Sequence, residues 1–309
     1  MNNLLDNVLS QKYRPQILDD LILDPNIKTK FIELISKKDI PNLLFWSNPG
    51  SGKTTLAKII VKAIGCQYIY INAAEERGID TIRDKVIRFA QICSIDGGFK
   101  VVILDEASEI TVTAMDALKN VMEETKHVRF ILTANCINKL TSAIRSRCED
   151  YNLVPPFDDC VKRCVSIIKA ENIKLDPESK DRLIPLIKSC YPDMRRTIGS
   201  IQKYTINGVL TIPKIVESYD LVEKIFYKIR NSPSIVELRR FIIENELEFN
   251  NDYYVILRGL FDYICNKSDL DGDKKRTMLI IISDYMYRHI NVLDKEINTF
   301  SCLLQISRV

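Results

Sequence analysis

Residues 47–55, with the sequence SNPGSGKTT, carry the strongest chemical signal in the chain. They follow a short apolar run and precede a helical pattern of apolar residues. A glycine-bearing loop between a buried strand and a helix N-terminus presents N–H groups, a lysine and a hydroxyl, all of which suit phosphates. The spacing predicts a P-loop in which Lys53 contacts the β- and γ-phosphates and Thr54 ligates Mg²⁺. Ser47 replaces the usual first glycine, so Gly50 is expected to relieve the backbone instead.

The backbone N–H groups of this loop are expected to cradle the phosphates of ATP. The residues that supply them are Gly50, Ser51, Gly52, Lys53, Thr54 and Thr55.

Acidic side chains follow a second apolar run, at residues 100–104. In a nucleotide hydrolase, Asp105 would hold Mg²⁺ through water and Glu106 would activate the attacking water. Asn135 ends the strand next in sequence and could hydrogen-bond the γ-phosphate or position the water, although an isolated asparagine there is more often a turn residue. These polar residues are expected at the carboxyl edge of one sheet, where the P-loop also begins.

The elements that position these residues alternate between strand and helix as far as Pro155, which predicts a parallel α/β P-loop domain. Helical periodicity takes over from Pro156 and breaks again at Asn207 and Gly208. We predict a nucleotide-binding domain at 1–155, a small helical lid at 156–210 and an all-α collar, an oligomerisation domain, at 211–309. Helices are predicted at 157–171, 177–190, 193–204, 212–230, 234–247, 252–267 and 274–293.

Composition limits the class of protein. The 309 residues carry a net charge of only +3, so a polyanion must be met by a local basic patch. The nine cysteines form no CxxC pair, which disfavours a zinc ribbon and a disulfide framework. No basic leader and no long apolar run is present, so we expect an intracellular, soluble protein without a membrane partner.

Seven segments together resemble the AAA+ small subunit of a sliding-clamp loader, most closely the replication factor C small subunits and the T4-type phage loader subunit. Their order along the chain is that of the family. They lie at residues 11–15, 49–55, 72–80, 104–108, 133–135, 146–148 and 193–196.

The resemblance implies roles for single residues. Arg147 corresponds to the arginine finger that reaches the ATP of the adjacent subunit, Asn135 to sensor 1, and Arg195 to sensor 2 in the lid. The arm beside the adenine corresponds to Tyr13, Arg14 and Pro15. Met115 stands where the family usually has glutamine, so the path that links DNA to the nucleotide site is expected to differ.

The resemblance also implies DNA contacts, in which a helix N-terminus follows the template-strand backbone. The residues concerned are Arg77, Gly78, Ile79 and Arg83. Backbone N–H groups, a helix dipole and arginines suit phosphates, and the less favoured alternative is that these basic residues form a solvated face. The clamp-facing edge corresponds to Phe89, Ile92, Ile95 and Phe99.

The implied function is a DNA-stimulated ATPase subunit, in which ATP binding opens the clamp and grips primer–template DNA, and hydrolysis releases the clamp. The implied partners are the sliding clamp and other loader subunits, in a hetero-oligomeric ring of four copies and one distinct subunit. A phage origin would place it in the host cytoplasm. The alternatives are a non-hydrolysing scaffold subunit, another DNA-remodelling AAA+ motor and a small-molecule P-loop kinase.

Overall fold

The computed structural model describes residues 8–75, 79–91, 98–125, 127–212, 218–231, 234–249, 251–266 and 270–309, without the side chains of residues 79–83, 91, 218–220 and 247–248. Two compact units are present, Met1–Thr211 and Ile212–Val309.

A five-stranded parallel sheet organises the first unit. Its strands are β1 (Leu43–Trp46), β2 (Tyr68–Asn72), β3 (Lys100–Asp105), β4 (Val128–Ala134) and β5 (Glu149–Asn152). They are ordered β5-β1-β4-β3-β2. Strand β3 is buried along its whole length, as expected for a parallel strand that is covered on both faces. The predicted α/β P-loop domain is confirmed.

Helices cover both faces of this sheet. Helix α1 (Leu9–Lys12) is not one of them, because Leu9 packs beside Ile167 and Ile198 of the helical region. The covering helices are α2 (Pro25–Lys37), α3 (Lys53–Ile64), α4 (Ile79–Gln91), α5 (Val112–Glu124) and α6 (Ser142–Arg145). Because successive side chains of a strand point to opposite faces, Val102 and Leu104 pack in one core with α5. Val101 and Ile103 pack in the other with α2 and α3. Because the strands between these two cores are parallel, their carboxyl ends lie at one edge of the sheet.

A small helical region completes the first unit. It contains α7 (Phe157–Ala170), α8 (Pro177–Cys190) and α9 (Met194–Tyr204), each within one residue of a predicted helix. The sequence did not predict three two-residue strands, which pair in the order β6-β8-β7. They are β6 (Lys174–Leu175), β7 (Thr205–Ile206) and β8 (Val209–Leu210). Asn207 and Gly208, with φ of 51° and 75°, form the turn between β7 and β8.

The second unit is helical in its described part, with α10 (Ser218–Asn231), α11 (Ile235–Glu244), α12 (Tyr253–Asn266), α13 (Gly272–His289) and α14 (Lys295–Ile306). Helix α14 was missing from the sequence prediction. Its N-terminus is fixed by Asp294, whose side chain accepts a hydrogen bond from the Ile297 N–H at 2.9 Å. Cys302 and Leu303 of α14 are fully buried in the core of this unit.

No helix in the described part of the chain combines the length and the hydropathy that a bilayer crossing requires.

Candidate functional site

The loop between β1 and α3 depends on two glycines with left-handed backbone conformations. Gly50 has φ of 73° and Gly52, the N-cap of α3, has φ of 94°. A Cβ on Gly50 would lie 1.8 Å from an oxygen of the Asp193 carboxylate, so no larger residue fits there without movement. Ser47 is buried, and its hydroxyl has no hydrogen-bond partner in the described part of the chain.

Lys53 is turned back onto the loop that precedes it. Its ammonium donates hydrogen bonds to the carbonyls of Ser47 at 2.8 Å and Asn48 at 2.9 Å, and the side chain is 8% exposed. Burial lowers the pKa of Lys53 to about 8, against the opposing effect of the carboxylates of Asp105 and Glu106. Among the described residues only carbonyls bond to this buried ammonium, so it is ready to receive an anion.

The Asp105 carboxylate lies beside this loop and accepts three hydrogen bonds. Oxygen Oδ1 accepts from the hydroxyls of Thr54 at 2.7 Å and Thr133 at 2.5 Å. Oxygen Oδ2 accepts from the Tyr70 hydroxyl at 2.7 Å. The adjacent hydroxyl of Thr54 and carboxylate of Asp105 are hard oxygen donors of the kind that Mg²⁺ takes beside nucleotide phosphates, so the residues present fit that ion.

Tyr70 and Thr133 were not among the predicted site residues. Each lies two residues before a polar residue at a strand end, Asn72 on β2 and Asn135 beyond β4, and so shares its face of the sheet. The sequence signal was therefore available, as a hydroxyl-bearing side chain near the carboxyl end of a strand next to β3.

Glu106 follows β3 in a left-handed conformation, with φ of 54°. This conformation is unfavourable for a residue with a Cβ and is typical of functional sites. It is supported by a hydrogen bond of 3.0 Å from the Glu106 N–H to the Thr133 hydroxyl. Asn135 lies exposed just beyond the end of neighbouring β4. The structure therefore brings Glu106 and Asn135 to the sheet edge where the P-loop begins.

A cavity lies over the P-loop, and residues from the arm and from the helical region line it as well. Helix α9 begins against the P-loop, and its second residue, Arg195, is exposed to the cavity. Asp193 caps this helix by accepting a hydrogen bond from the Arg196 N–H at 2.8 Å. The predicted residues that line the cavity are Tyr13, Arg14, Pro15, Gly50, Ser51, Gly52, Lys53, Thr54, Thr55 and Arg195.

The arm is bonded to both sides of the cavity. Arg14 donates a hydrogen bond to the hydroxyl of Thr55 at 3.2 Å. Tyr13 donates to the Glu171 carboxylate, which also pairs with Lys12 at 2.6 Å. Burial and the nearby Glu171 carboxylate raise the pKa of Tyr13. The arm thus connects the P-loop helix to the helical region.

Arg147 lies outside this cavity. Its guanidinium pairs with the Glu123 carboxylate at the end of α5 and donates to the Ala143 carbonyl at 2.6 Å. A separate groove beside it is lined by residues including Asn42 and Arg129. Arg147 therefore faces a surface other than the one that holds Lys53.

The predicted DNA contacts are only partly covered by the structure. Arg77 and Gly78 lie outside the described residues, as do Ile92 and Ile95 of the proposed clamp edge. Ile79 and Arg83 are the first and fifth residues of α4, and their side chains are not described.

Three further residues singled out in the sequence pack against the cores of the first unit. Phe89 and Phe99 are half-buried there. Met115 is buried, 2% exposed, in the core beneath α5.

Comparisons with known proteins give two family models. Residues 43–156 match the ATPase family associated with various cellular activities (AAA), and residues 157–212 match the sliding-clamp-loader large subunit, AAA+ ATPase lid domain.

Individual relatives are similar over longer spans. A replication factor C small subunit of Sulfurisphaera tokodaii is 30% identical over 316 residues, covering 96% of this chain and 94% of the relative. That of Sulfolobus acidocaldarius is 35% identical over 222 residues, covering 69% and 67%. A solved structure of the Thermotoga maritima RuvB Holliday junction branch migration motor has a TM-score of 0.49 at 16% identity, covering 88% of this chain and 80% of that one.

Proposed function

The chain belongs to the AAA+ family of replication factor C small subunits, clamp-loader ATPases of DNA replication, and from this premise we propose that it is a DNA-stimulated ATPase subunit of a clamp-loading ring. In this proposal ATP binding opens a sliding clamp and grips primer–template DNA. Hydrolysis then releases the clamp on the DNA.

The ATP site of the proposal is the cavity around the P-loop. Lys53 would contact the β- and γ-phosphates after leaving the carbonyls of Ser47 and Asn48, and the N–H groups of residues 50–55 would hold the phosphates. Thr54 and Asp105 would hold Mg²⁺, which, when bound, neutralises phosphate charge.

Glu106 would orient and deprotonate the attacking water, because its strained backbone fixes a carboxylate at the sheet edge. Asn135 would hydrogen-bond the γ-phosphate or that water. Arg195 would reach the γ-phosphate from the helical lid, and the cavity position of its helix supports this. Tyr13, Arg14 and Pro15 would flank the adenine.

The position of Arg147 is the observation that carries the proposal. The other predicted ATP-site groups lie close together, and Arg147 lies apart from them. Lys53 and Thr54 line one cavity, and Thr54 donates a hydrogen bond to Asp105, whereas Arg147 is fixed by Glu123 on another surface. Phosphoryl transfer needs a cation for the charge of the transition state, and a neighbouring subunit can supply it. An arginine presented outward in this way fits a finger that completes the site of the adjacent subunit.

The parts of the proposal that concern DNA, the clamp and the ring are supported by family membership alone. The N-terminus of α4 with Arg77, Gly78, Ile79 and Arg83 would follow the template backbone. The ring would contain four copies of this chain and one distinct subunit, as in the phage-type loaders that the sequence resembles.

Two rival functions make different predictions. A non-hydrolysing scaffold subunit would need neither the Asp105 network nor the strained Glu106. A different DNA-remodelling AAA+ motor would hydrolyse ATP without stimulation by a sliding clamp.

The deciding experiment is an ATPase assay of the purified full-length chain, alone and with a candidate distinct subunit, a sliding clamp and primed DNA. We expect slow turnover by the chain alone and a large stimulation by the full mixture. Turnover that no combination of clamp and DNA stimulates would contradict the clamp-loading role, and complete absence of turnover would favour the scaffold.

Nucleotide affinity is expected to fall above about pH 8, where free Lys53 loses its proton. Phosphate requires the ammonium form, so each pH unit above the pKa of Lys53 should lower the association constant by up to about tenfold, which is about 1.4 kcal/mol. Below that pH Lys53 is already protonated, so its titration adds no pH dependence to the nucleotide affinity. Calorimetry in buffers of different ionisation enthalpy should show uptake of about one proton on binding at about pH 9, and the absence of uptake would contradict a lowered lysine pKa.

Removal of residues 213–309 is expected to abolish ring assembly while the first unit keeps its fold. The helices of the second unit expose large apolar side chains that a collar interface would cover. The most exposed around α13 are Ile280, Tyr287, Ile290 and Leu293. Light scattering after gel filtration with the distinct subunit measures the loss, and a stable ring without these residues would refute the collar assignment.

A double substitution tests the same surface without a large deletion. Tyr287→Ser combined with Ile290→Ser should weaken assembly in the full-length chain. Ile32→Ser, which removes a half-exposed apolar side chain from α2 of the first unit, should not.

A further inference from the structure

The Tyr70 hydroxyl donates a hydrogen bond to oxygen Oδ2 of Asp105. The hydroxyls of Thr54 and Thr133 both donate to oxygen Oδ1. We propose that Tyr70 is a positioning residue for Mg²⁺: by holding oxygen Oδ2, it orients the Asp105 carboxylate so that its remaining acceptor position meets the hydration shell of the ion. The inference rests on the proposed ATP site and adds to it a residue that no sequence motif contains.

The count of acceptor positions supports this role. A carboxylate has about four lone-pair positions, and Thr54, Thr133 and Tyr70 fill three of them. Asp105 is 8% exposed, so water cannot freely replace a lost partner. Without the tyrosine hydroxyl the carboxylate could rotate about its Cβ–Cγ bond, since both remaining donors lie on the Oδ1 side.

Strand register explains why Tyr70 makes this contact instead of the residue paired with Asp105. In the β2–β3 ladder, Asn72 is the partner of Asp105. The Asn72 side chain is engaged elsewhere, donating to Glu75 at 2.8 Å and accepting from the Ala74 N–H. Tyr70 points to the same face two residues earlier, and its length carries the hydroxyl to the carboxylate.

The ring of Tyr70 is itself held in place. The Lys58 ammonium of α3 lies 4.2 Å from the ring centroid, a cation–π contact. Because α3 begins with Lys53 and Thr54, the helix that carries two P-loop ligands also fixes the tyrosine that orients Asp105. Tyr70 is 40% exposed, so this hydroxyl contact is not a by-product of core packing.

The strand offers a matched control. Tyr68 lies two residues before Tyr70 on the same face, is 37% exposed, and has no hydrogen bond to a carboxylate among the described residues. Tyr68→Phe and Tyr70→Phe therefore remove the same atom from similar surroundings on one strand. Only Tyr70→Phe removes a partner of Asp105.

The test is equilibrium binding of a fluorescent ATP analogue to the full-length chain, titrated with Mg²⁺ and repeated in EDTA. Loss of a residue that orients a metal ligand typically weakens metal affinity 10- to 100-fold. We expect Tyr70→Phe to raise the half-saturating Mg²⁺ concentration about tenfold and to lower the ratio of affinities with and without Mg²⁺. Tyr68→Phe should leave both values unchanged, and thermal unfolding should show that all variants are folded.

Asp105→Asn separates failure of this inference from failure of the proposed ATP site. If Asp105→Asn shifts the Mg²⁺ dependence and Tyr70→Phe does not, the positioning role is wrong and the site stands. If neither variant shifts it, the Mg²⁺ assignment is wrong and the inference fails with it. A shift in Tyr68→Phe equal to that in Tyr70→Phe would also overturn the inference, because the effect would then belong to the strand.

Discussion

The variant Lys53→Ala is expected to lose ATP binding. Lys53 is the buried cation of the P-loop, and its ammonium already spans two carbonyls that a phosphate would replace. A hydrogen bond to a charged group contributes about 1.5–3 kcal/mol, so the loss of two should weaken binding at least about a hundredfold. Equilibrium binding of a fluorescent ATP analogue in the presence of Mg²⁺ measures this effect.

Helix α3 supplies the control for this variant. Lys62 lies exposed in the last turn of the same helix, so Lys62→Ala removes an equal charge without touching the loop. Lys62→Ala should bind ATP as the unmodified chain does. Wild-type affinity in Lys53→Ala, with normal thermal unfolding, would remove the P-loop from the proposed mechanism.

The variant Arg147→Ala is expected to bind ATP normally and to lose DNA-stimulated hydrolysis in the assembled ring. Arg147 lies outside the cavity of its own chain, so its removal leaves Lys53, Thr54 and Asp105 in place. Arginine fingers contribute about 10³- to 10⁵-fold to turnover, so the residual rate should be close to that of the chain alone. Single-turnover hydrolysis in the reconstituted mixture measures the loss.

Two controls test whether the finger acts on a neighbour. Arg145→Ala removes an exposed arginine two residues away and should leave hydrolysis unchanged. A mixture of Lys53→Ala and Arg147→Ala subunits should recover part of the activity, because the first can supply a finger to the intact P-loop of the second. Unchanged turnover in Arg147→Ala, or no recovery in the mixture, would contradict action between subunits.

The sequence predicted the parts of the site that local patterns encode. The P-loop glycines must adopt positive φ between a strand and a helix, so their spacing is visible without a structure. Asp105 and Glu106 follow a continuous apolar run, which identifies a buried parallel strand and its carboxyl end. These features depend on residues close together in the chain.

The sequence did not predict contacts that depend on tertiary structure. The hydrogen bonds of Asp105 to Tyr70 and Thr133 join three neighbouring strands, and the pair of Arg147 with Glu123 joins residues 24 positions apart. Strands β6 and β8 are two residues long and pair across an intervening helical hairpin, which leaves no periodic pattern to recognise. Helix α14 was missed although Asp294 is a recognisable cap.

The ion pair between Arg147 and Glu123 gives the proposed ring a way to sense whether a neighbouring site is occupied. The Glu123 side chain is 51% exposed and the Arg147 side chain 29%, so water partly screens the pair and separating it costs only a modest amount. A triphosphate on the adjacent subunit offers the guanidinium more negative charge than one carboxylate does, whereas an empty site offers none. Under the proposed function, Arg147 would therefore leave Glu123 only when the adjacent subunit holds ATP. Beside an empty subunit Arg147 would stay paired with Glu123, and this distinction would need no large conformational change.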